Sequence, residues 1–321
     1  MKRFLSTTIL AVAAAAALTA CGGSSAPATT AAPAATAAPA AETKAEETKA
    51  EETKAEETKA EETKAEETKA EETKAEEVQG DPEGNMTDDV AYIQEKGTLI
   101  VGITDFAPMD YKDDKGNWIG FDADLAKKVA ESLGVEVEFI EIDWDNKILE
   151  LQNKSIDVVW NGMTLTDEVA NAMQCSKPYC NNAQVVVLKK DDAEKYPDVD
   201  SMKDLQFAVE AGSAGEAAAE ENGFNFTSVT SQADTLMEIS AGTSDASIID
   251  LLMAGAMVGE GTSYADLTHT LELTTEEYVV GCRKDSDLAS YIDDQMKKMY
   301  DDGTLMETAK EYGVQDAVVA Q

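Results

Sequence analysis

The hydrophobic and polar positions divide this chain into a part that cannot form a core and a part that can. Residues 24–41 contain little besides Ala, Thr, Pro and Ser, and residues 42–77 repeat the unit Glu-Glu-Thr-Lys-Ala. Neither stretch contains a large apolar side chain, so neither has a face to bury. We therefore predict a linker at 21–41 and a spacer at 42–77, and we expect the folded part to begin near Asp88.

From Asp88 onward, patterns typical of buried strands and of amphipathic helices alternate. Within 122–133, for example, Leu125, Val129 and Leu133 recur at intervals of four residues, and Gly134 follows as a helix stop. This alternation predicts an α/β fold in which helices cover mostly parallel sheets. Strands are predicted at 98–103, 135–140, 156–160, 184–188, 207–210 and 247–250, and helices at 122–133, 147–152, 216–221, 233–241, 251–258 and 286–302.

The first 20 residues have the layout of an export signal. Lys2 and Arg3 precede an apolar run from Ile9 to Leu18, which is too short for a permanent membrane-spanning helix. We therefore predict a cleaved signal peptide at 1–20. Cys21 follows the small residues and resembles the cysteine of a bacterial lipobox, which is lipidated and becomes the mature N-terminus. An ordinary signal peptide with an incidental Cys21 is the alternative.

The charge of the chain is strongly negative. The formal net charge is −38, and residues from Val78 onward carry −32 of it, because the repeat contributes only 15 Glu against 7 Lys. Such a surface repels nucleic acid and anionic lipid, which excludes nucleic acid as a partner. It suits a protein that stays in solution outside the cell.

Residue types needed for catalysis or metal binding are scarce. The chain has one histidine, His269, and its cysteines do not pair at zinc-ligand spacing. We therefore expect no metal, no cofactor and no enzymatic activity. Outside the cell, Cys175 and Cys180 either form a small disulfide loop or remain two thiols. Cys282 is expected to be a buried single thiol.

Several short motifs follow one another in a specific order between Gly97 and Tyr312. They occupy 104–108, 120–125, 143–144, 156–159, 164–166, 209–213, 244–250 and 302–304. In this order and spacing they resemble the family 3 solute-binding proteins of ABC importers, the polar amino-acid-binding group. Each motif alone is weak, and the resemblance depends on their combination.

The resemblance implies a two-lobed periplasmic-binding-protein type II-like fold, with two parallel or mixed sheets joined by two hinge crossings. The crossings are expected near 186–189 and 277–280. Lobe 1 is then 88–187 together with 279–321, and lobe 2 is 188–278. The ligand is expected in the cleft between the lobes, beyond the carboxyl ends of the strands, which is also the general rule for open α/β sheets.

The resemblance also assigns residues of lobe 1 to the ligand site. Asp105 ends the first strand and is expected to face the side chain or the ammonium group of the ligand. Phe106 and Trp144 match the pair that sandwiches the ligand. Asn161 and Gly162 match positions that offer main-chain carbonyls and side-chain contacts.

Further positions of the site come from the next motifs. Thr164 matches a hydroxyl and N–H donor, and Ser213 from lobe 2 matches a donor to the ligand carboxylate. Asp250 matches the acid that pairs with the α-ammonium group, a charge-assisted bond. One position departs from the family: three residues after Thr166, where the family has an arginine that holds the α-carboxylate, this chain has Val169.

Without that arginine, the carboxylate of a ligand needs another cation, or the ligand has no such group. Lys147 is the candidate replacement. The alternative is that Lys147 is a solvated lysine on the surface. Carboxylates beside aromatic faces favour an amine-bearing solute, first an amino acid and second an amine or other polar nutrient.

The resemblance finally implies a monomeric, lipid-anchored receptor on the extracellular face of the cell membrane that delivers its solute to an ABC permease. Two alternatives remain open at this point. One is a solute-sensing surface lipoprotein without an importer. The other is an enzyme of the cyclohexadienyl dehydratase type on the same fold.

Overall fold

Alternating strands and helices make up the described part of the molecule, residues 88–321 of a computed structural model. The strands are β1 (Thr98–Ile103), β2 (Tyr111–Lys112), β3 (Trp118–Ile119), β4 (Glu136–Glu141), β5 (Val158–Thr164), β6 (Gln174–Cys175), β7 (Cys180–Asn182), β8 (Gln184–Lys189), β9 (Gln206–Glu210), β10 (Asn225–Val229), β11 (Ala246–Asp250), β12 (Leu267–Glu272) and β13 (Glu276–Cys282). The helices are α1 (Asp89–Lys96), α2 (Phe121–Leu133), α3 (Lys147–Gln152), α4 (Asp167–Ala172), α5 (Ala214–Asn222), α6 (Gln232–Ala241), α7 (Leu251–Met257), α8 (Leu288–Asp301) and α9 (Thr304–Glu311).

Two mixed sheets form the two lobes, as the sequence predicts. The first has the order β4-β1-β5-β13-β6, with β7 also beside β13, and the second has the order β10-β9-β11-β8-β12. In each sheet three neighbouring strands are parallel to one another. Beyond them, each strand is antiparallel to the strand beside it. The carboxyl ends of the parallel strands are therefore the places where the rule for α/β sheets puts a ligand.

Helix α2 shows why the local patterns predicted elements well. Leu125, Val129 and Leu133 are buried in the core, as their spacing predicts. The helix ends at Gly134, whose φ of 75° is left-handed, and the Gly134 amide donates to carbonyls of the last turn. Such a cap is open to glycine at little conformational cost.

The chain passes between the sheets earlier than the sequence predicts. Strand β7 still belongs to the first sheet and β8 to the second, so the first crossing lies at Ala183 rather than at 186–189. The return lies at 273–275, between β12 and β13, rather than at 277–280. Lobe 2 therefore comprises about 184–275. The sequence shows that β8 is apolar and therefore buried, but it does not show to which sheet β8 belongs. Its pairing with β11 and β12 places it in the second sheet.

The cysteines at 175 and 180 are free thiols, which contradicts a disulfide loop between them. Cys175 lies opposite Gly281 and Cys180 opposite Tyr278, on the same edge of β13. Three strand positions separate their partners by about 10 Å. Two cysteines can be bridged without backbone movement only when their Cα atoms are within about 7 Å. Cys282 is a buried thiol, as expected.

Several sequence-based predictions lie outside the described residues. They are the signal peptide at 1–20, the lipidation of Cys21, the linker at 21–41 and the repeat spacer at 42–77. Within residues 88–321, no helix combines the length and the apolar character needed to cross a membrane.

Candidate functional site

A cavity of about 290 Å³ lies between the two sheets. It is lined by residues that follow or end β1, β5, β9 and β11, together with the segment around Trp144 and the beginning of α5. Its volume is close to the lower end of the range for small-ligand pockets. The predicted residues that line it are Phe106, Trp144, Lys147, Asn161, Gly162, Thr164, Ser213 and Asp250.

Asp105 is the predicted site residue that does not line this cavity. It is exposed and lies in an adjacent opening with Glu141 and Asp234. Successive residues of an extended segment point to opposite sides. Because Thr104 and Phe106 line the cavity, Asp105 between them is turned away from it. Partial burial, and next the negative charge of Glu141, raise the pKa of Asp105.

The apolar walls of the cavity come from Phe106 and Trp144, both of which are buried. Phe106 packs edge-to-face on Tyr278 with ring centroids 6.4 Å apart, a favoured arrangement for aromatic pairs. Gly162 makes room for this ring, because a Cβ at that position would collide with Phe106 Cε1. The Gly162 amide donates to Asp122 Oδ2 at 2.7 Å and is therefore already used inside the protein.

Asn161 holds the site together rather than offering its side chain to a ligand. Its Oδ1 accepts from the amide and the hydroxyl of Thr104, at 3.0 and 2.8 Å. Its Nδ2 donates to the Thr104 carbonyl at 3.1 Å and to Asp110 Oδ2 at 2.8 Å. These four bonds use the whole hydrogen-bonding capacity of a side-chain amide. The side chain therefore ties the end of β1 to β5.

Asp250 lies at the point where both crossings approach the cavity. Its Oδ1 accepts from Asn182 Nδ2, from Gln184 Nε2 at 3.0 Å and from the Tyr278 hydroxyl at 2.8 Å. Its Oδ2 accepts from Gln232 Nε2. A carboxylate oxygen ordinarily accepts at least two hydrogen bonds, and among the described residues Oδ2 accepts only the one from Gln232. Oδ2 therefore has room for one more donor, and Asp250 lines the cavity.

The pKa of Asp250 depends on the charges that surround it. Burial, and next the negative charge of Glu276, raise the pKa of Asp250 well above its ordinary value. A positively charged group at Oδ2 favours the ionised carboxylate and so acts in the opposite direction. Thr164 belongs to the same network, because its hydroxyl donates to Glu276 Oε1 at 2.9 Å.

Lys147 is buried at the edge of the cavity and is not a solvated surface lysine. Its Nζ donates to the Trp144 carbonyl at 3.1 Å and to the Gly212 carbonyl at 2.9 Å, and it lies 4.9 Å from the centroid of the Trp144 ring. Burial lowers the pKa of Lys147, while nearby carboxylates such as Glu168 raise it. An ammonium group has three donors, so one N–H remains for a ligand.

The position of the missing arginine is apolar in the structure as well. Val169 is buried against the cavity. Among the described residues that line the cavity, Lys147 is the only cation. Ser213 is a second donor: its Oγ accepts from the Glu216 amide at 3.1 Å as the cap of α5, which leaves its hydroxyl proton available.

Glu210 and Gln232 are among the cavity residues that were not singled out from the sequence. Glu210 ends β9 and is buried, and its Oε1 has no hydrogen-bond partner among the described residues. Burial raises the pKa of Glu210 to about 8, although the positive charge of Lys147 acts to lower it. In the sequence, the one sign of a role for Glu210 is its position as an acid at the end of the apolar strand β9. Gln232 binds Asp250 through both its amide atoms, a contact made only in the folded chain.

Within residues 88–321, no three His, Cys, Asp or Glu side chains come together in a way that could hold a metal ion. The polar groups that line the cavity include a cation, Lys147, the hydroxyl of Ser213 and the buried carboxyl groups of Glu210 and Asp250, and the acidic residues Asp167 and Glu168 also belong to the lining. This set suits a small organic ligand that carries both signs of charge.

Known proteins resemble this chain in sequence over most of the described residues. The model of the bacterial extracellular solute-binding proteins, family 3, matches residues 99–315. The arginine-binding extracellular protein ArtP of Bacillus subtilis (strain 168) is 30% identical over 226 residues, which is 68% of this chain and 86% of that protein.

Solved structures show the same two-lobed architecture. A substrate-binding protein of an ABC uptake transporter from Streptococcus pneumoniae, with bound histidine, is 29% identical with a TM-score of 0.66, over 73% of this chain and 99% of that one. An ancestral amino acid-binding protein, a precursor of cyclohexadienyl dehydratase, is 32% identical with a TM-score of 0.64, over 70% and 98%. The chain belongs to the family 3 bacterial extracellular solute-binding proteins.

Proposed function

We propose that this chain binds a small amine-bearing solute, in the first place an amino acid, outside the cell membrane and delivers it to an ABC permease. The observation that carries the proposal is the cavity between the sheets, in which donors for a carboxylate and an acceptor for an ammonium group line one small space. An α-amino acid presents these two groups on the same carbon atom.

The ligand carboxylate binds the third N–H of Lys147 and the hydroxyl of Ser213. Ser213 caps α5, so a carboxylate there also lies at the positive end of a helix of nine residues. The ammonium group binds Asp250 Oδ2, and Phe106 and Trp144 contact the apolar stem. Lys147 thereby replaces the arginine that the family has at the position of Val169.

The relatives support an amino acid as the ligand class. ArtP is named for arginine, and the Streptococcus pneumoniae structure holds histidine. Both ligands combine an α-carboxylate, an α-ammonium group and a polar side chain, which is the combination that the cavity is equipped to bind.

Binding can be tested on the purified mature chain, residues 21–321, by thermal unfolding and calorimetry with the twenty amino acids and a set of amines. Because a ligand at 100 times its Kd stabilises the folded state by about 2.7 kcal/mol, we expect the best ligand to raise the Tm by about 5 °C or more. A folded protein whose Tm responds to none of these compounds contradicts the proposal. If only amines bind, Lys147 and Ser213 do not bind a ligand carboxylate.

Delivery to a permease needs a separate experiment in cells. We expect deletion of the gene for this chain to abolish high-affinity uptake of its ligand, and re-expression to restore it. Normal uptake without the chain favours the sensing lipoprotein instead. The enzyme alternative predicts steady conversion of the ligand by the purified protein, which chromatography of the incubated mixture detects.

The spacer leads to a prediction of its own. Deleting residues 43–77 should leave the ligand affinity and the Tm of the purified protein unchanged, because the repeat has no large apolar side chain that could pack on the folded part. Uptake by intact cells should fall, since we propose that the spacer sets the reach from a lipid on Cys21. A Tm shift of several degrees shows that the repeat contacts the fold.

A further inference from the structure

We infer that Glu210 accepts a second positive charge of the ligand, so that this receptor prefers amino acids with a cationic side chain. The inference rests on the proposed function of the cavity and names its ligand class more narrowly. It gives a role to Glu210, a buried acidic group of the cavity whose Oε1 remains without a partner when an α-amino acid binds to Lys147, Ser213 and Asp250.

One carboxyl oxygen of Glu210 is a buried acceptor without a donor. The residue ends β9, lines the cavity and is 2% exposed, yet its Oε1 has no hydrogen-bond partner among the described residues. Buried polar atoms without partners are rare, because leaving a hydrogen bond unmade is unfavourable. Lys147 does not fill the role, since its two bonds go to the carbonyl oxygens of Trp144 and Gly212.

The charges of the cavity also favour a second cation. The α-carboxylate of a zwitterionic amino acid pairs with Lys147, and its α-ammonium group pairs with Asp250. Glu210 is then left as a buried acid facing a neutral side chain. A side chain that ends in an ammonium or guanidinium group pairs with it instead, and charge-assisted bonds of this kind are about twice as strong as neutral ones.

Such binding releases a proton. Burial raises the pKa of Glu210 to about 8, with Lys147 from α3 lowering it and Asp234 from α6 raising it, so at neutral pH the free protein mostly holds the protonated acid. A bound cation favours the carboxylate, and the carboxyl proton passes to the solvent. Affinity for a cationic ligand therefore rises with pH up to about 8 and then levels off.

Other groups in the cavity titrate too, so the test compares two ligands of the same shape. L-arginine and L-citrulline share the α-carboxylate and α-ammonium groups that meet Lys147 and Asp250, and they differ in a guanidinium group against a neutral urea. Arginine stays protonated throughout. The ratio of their affinities therefore reports on Glu210, because effects of Lys147 and Asp250 apply to both ligands.

Calorimetry on the mature chain at pH 6, 7 and 8 should show arginine binding at least 30-fold more tightly than citrulline at pH 8. This ratio should fall by up to tenfold per pH unit below pH 8. Glu210→Gln should lower the ratio at least tenfold and remove its pH dependence, while leaving citrulline affinity within about threefold. Glu220→Gln removes a charge of the same type from an exposed position of α5 outside the cavity and should change neither quantity.

Each outcome decides between the two proposals. If the protein binds citrulline or other neutral amino acids as tightly as arginine, or if Glu210→Gln leaves the ratio unchanged, the role of Glu210 is overturned and the amino-acid receptor remains. If no amino acid and no amine binds to a folded protein, the proposed function fails, and this inference fails with it. Because burial disfavours the charged form of Glu210, ligand-free Glu210→Gln should have a raised Tm at pH 8. Its cooperative thermal unfolding shows that the variant folds.

Discussion

Asp250→Asn should lower the affinity for the best amino-acid ligand by about tenfold to a hundredfold. The substitution removes the charge that pairs with the α-ammonium group, and a hydrogen bond to a charged partner contributes about 1.5–3 kcal/mol. It also places an NH₂ group where Asp250 accepts from four side chains, Asn182, Gln184, Gln232 and Tyr278. One of these buried donors then loses its partner, so the Tm should fall as well.

Calorimetry gives the affinity, and thermal unfolding without ligand separates the two effects. Asp105→Asn is the matched control: it removes the same charge from an exposed carboxyl group outside the cavity, and it should change the affinity less than threefold. Unchanged affinity in Asp250→Asn contradicts the pairing with the ammonium group. A loss of affinity in Asp105→Asn shows that the adjacent opening also contacts the ligand.

Gly212→Ala should reduce ligand affinity at least tenfold by preventing the two lobes from meeting at the cavity. Gly212 belongs to lobe 2, and a Cβ there would lie 2.7 Å from Asp145 Cα in lobe 1. Because that neighbour is backbone, it cannot swing away. The shift also breaks the bond from Lys147 Nζ to the Gly212 carbonyl, which spans the lobes at 2.9 Å.

The backbone strain of this substitution has its own control. Gly212 and Gly223 have left-handed φ values of 68° and 65°, so alanine costs about 1–2 kcal/mol at either position. At Gly223, however, the nearest atom to an added Cβ is the end of the flexible Lys203 side chain, at 3.9 Å. Gly223→Ala should therefore lower the Tm and leave the affinity unchanged. Equal affinities of the two variants mean that closure at Gly212 is not needed for binding.

Local patterns were sufficient for most elements of the fold. Helix α3 spans Lys147–Gln152 as predicted, and α2 differs from its prediction by a single residue at its start. Apolar periodicity and glycine stops are properties of neighbouring residues, so they can be recognised in the chain before it folds. Elements of two or three residues, such as β2 and β7, have too few positions to show a period.

The site was predictable to the extent that its residues belong to short motifs. Phe106, Trp144 and Asp250 were assigned from motifs that resemble those of the family, and all three line the cavity. Asp105 belongs to the same motif as Phe106 but points away, because successive residues of the extended segment after β1 point to opposite sides. Glu210 was overlooked, since an acid at the end of a strand is notable only once its carboxyl group is known to be buried with Oε1 unpartnered.

By itself, the sequence determined the alternation of strands and helices, the negative charge of the folded part and the family to which the chain belongs. The tertiary structure alone decided where the chain passes between the sheets, that Cys175 and Cys180 are too far apart to bond, and that Lys147 is buried across the lobe contact. The reason is physical: helix and strand patterns arise from neighbours along the chain, whereas pairing partners, burial and the electrostatics of a cavity arise from residues that are distant in sequence and meet only on folding.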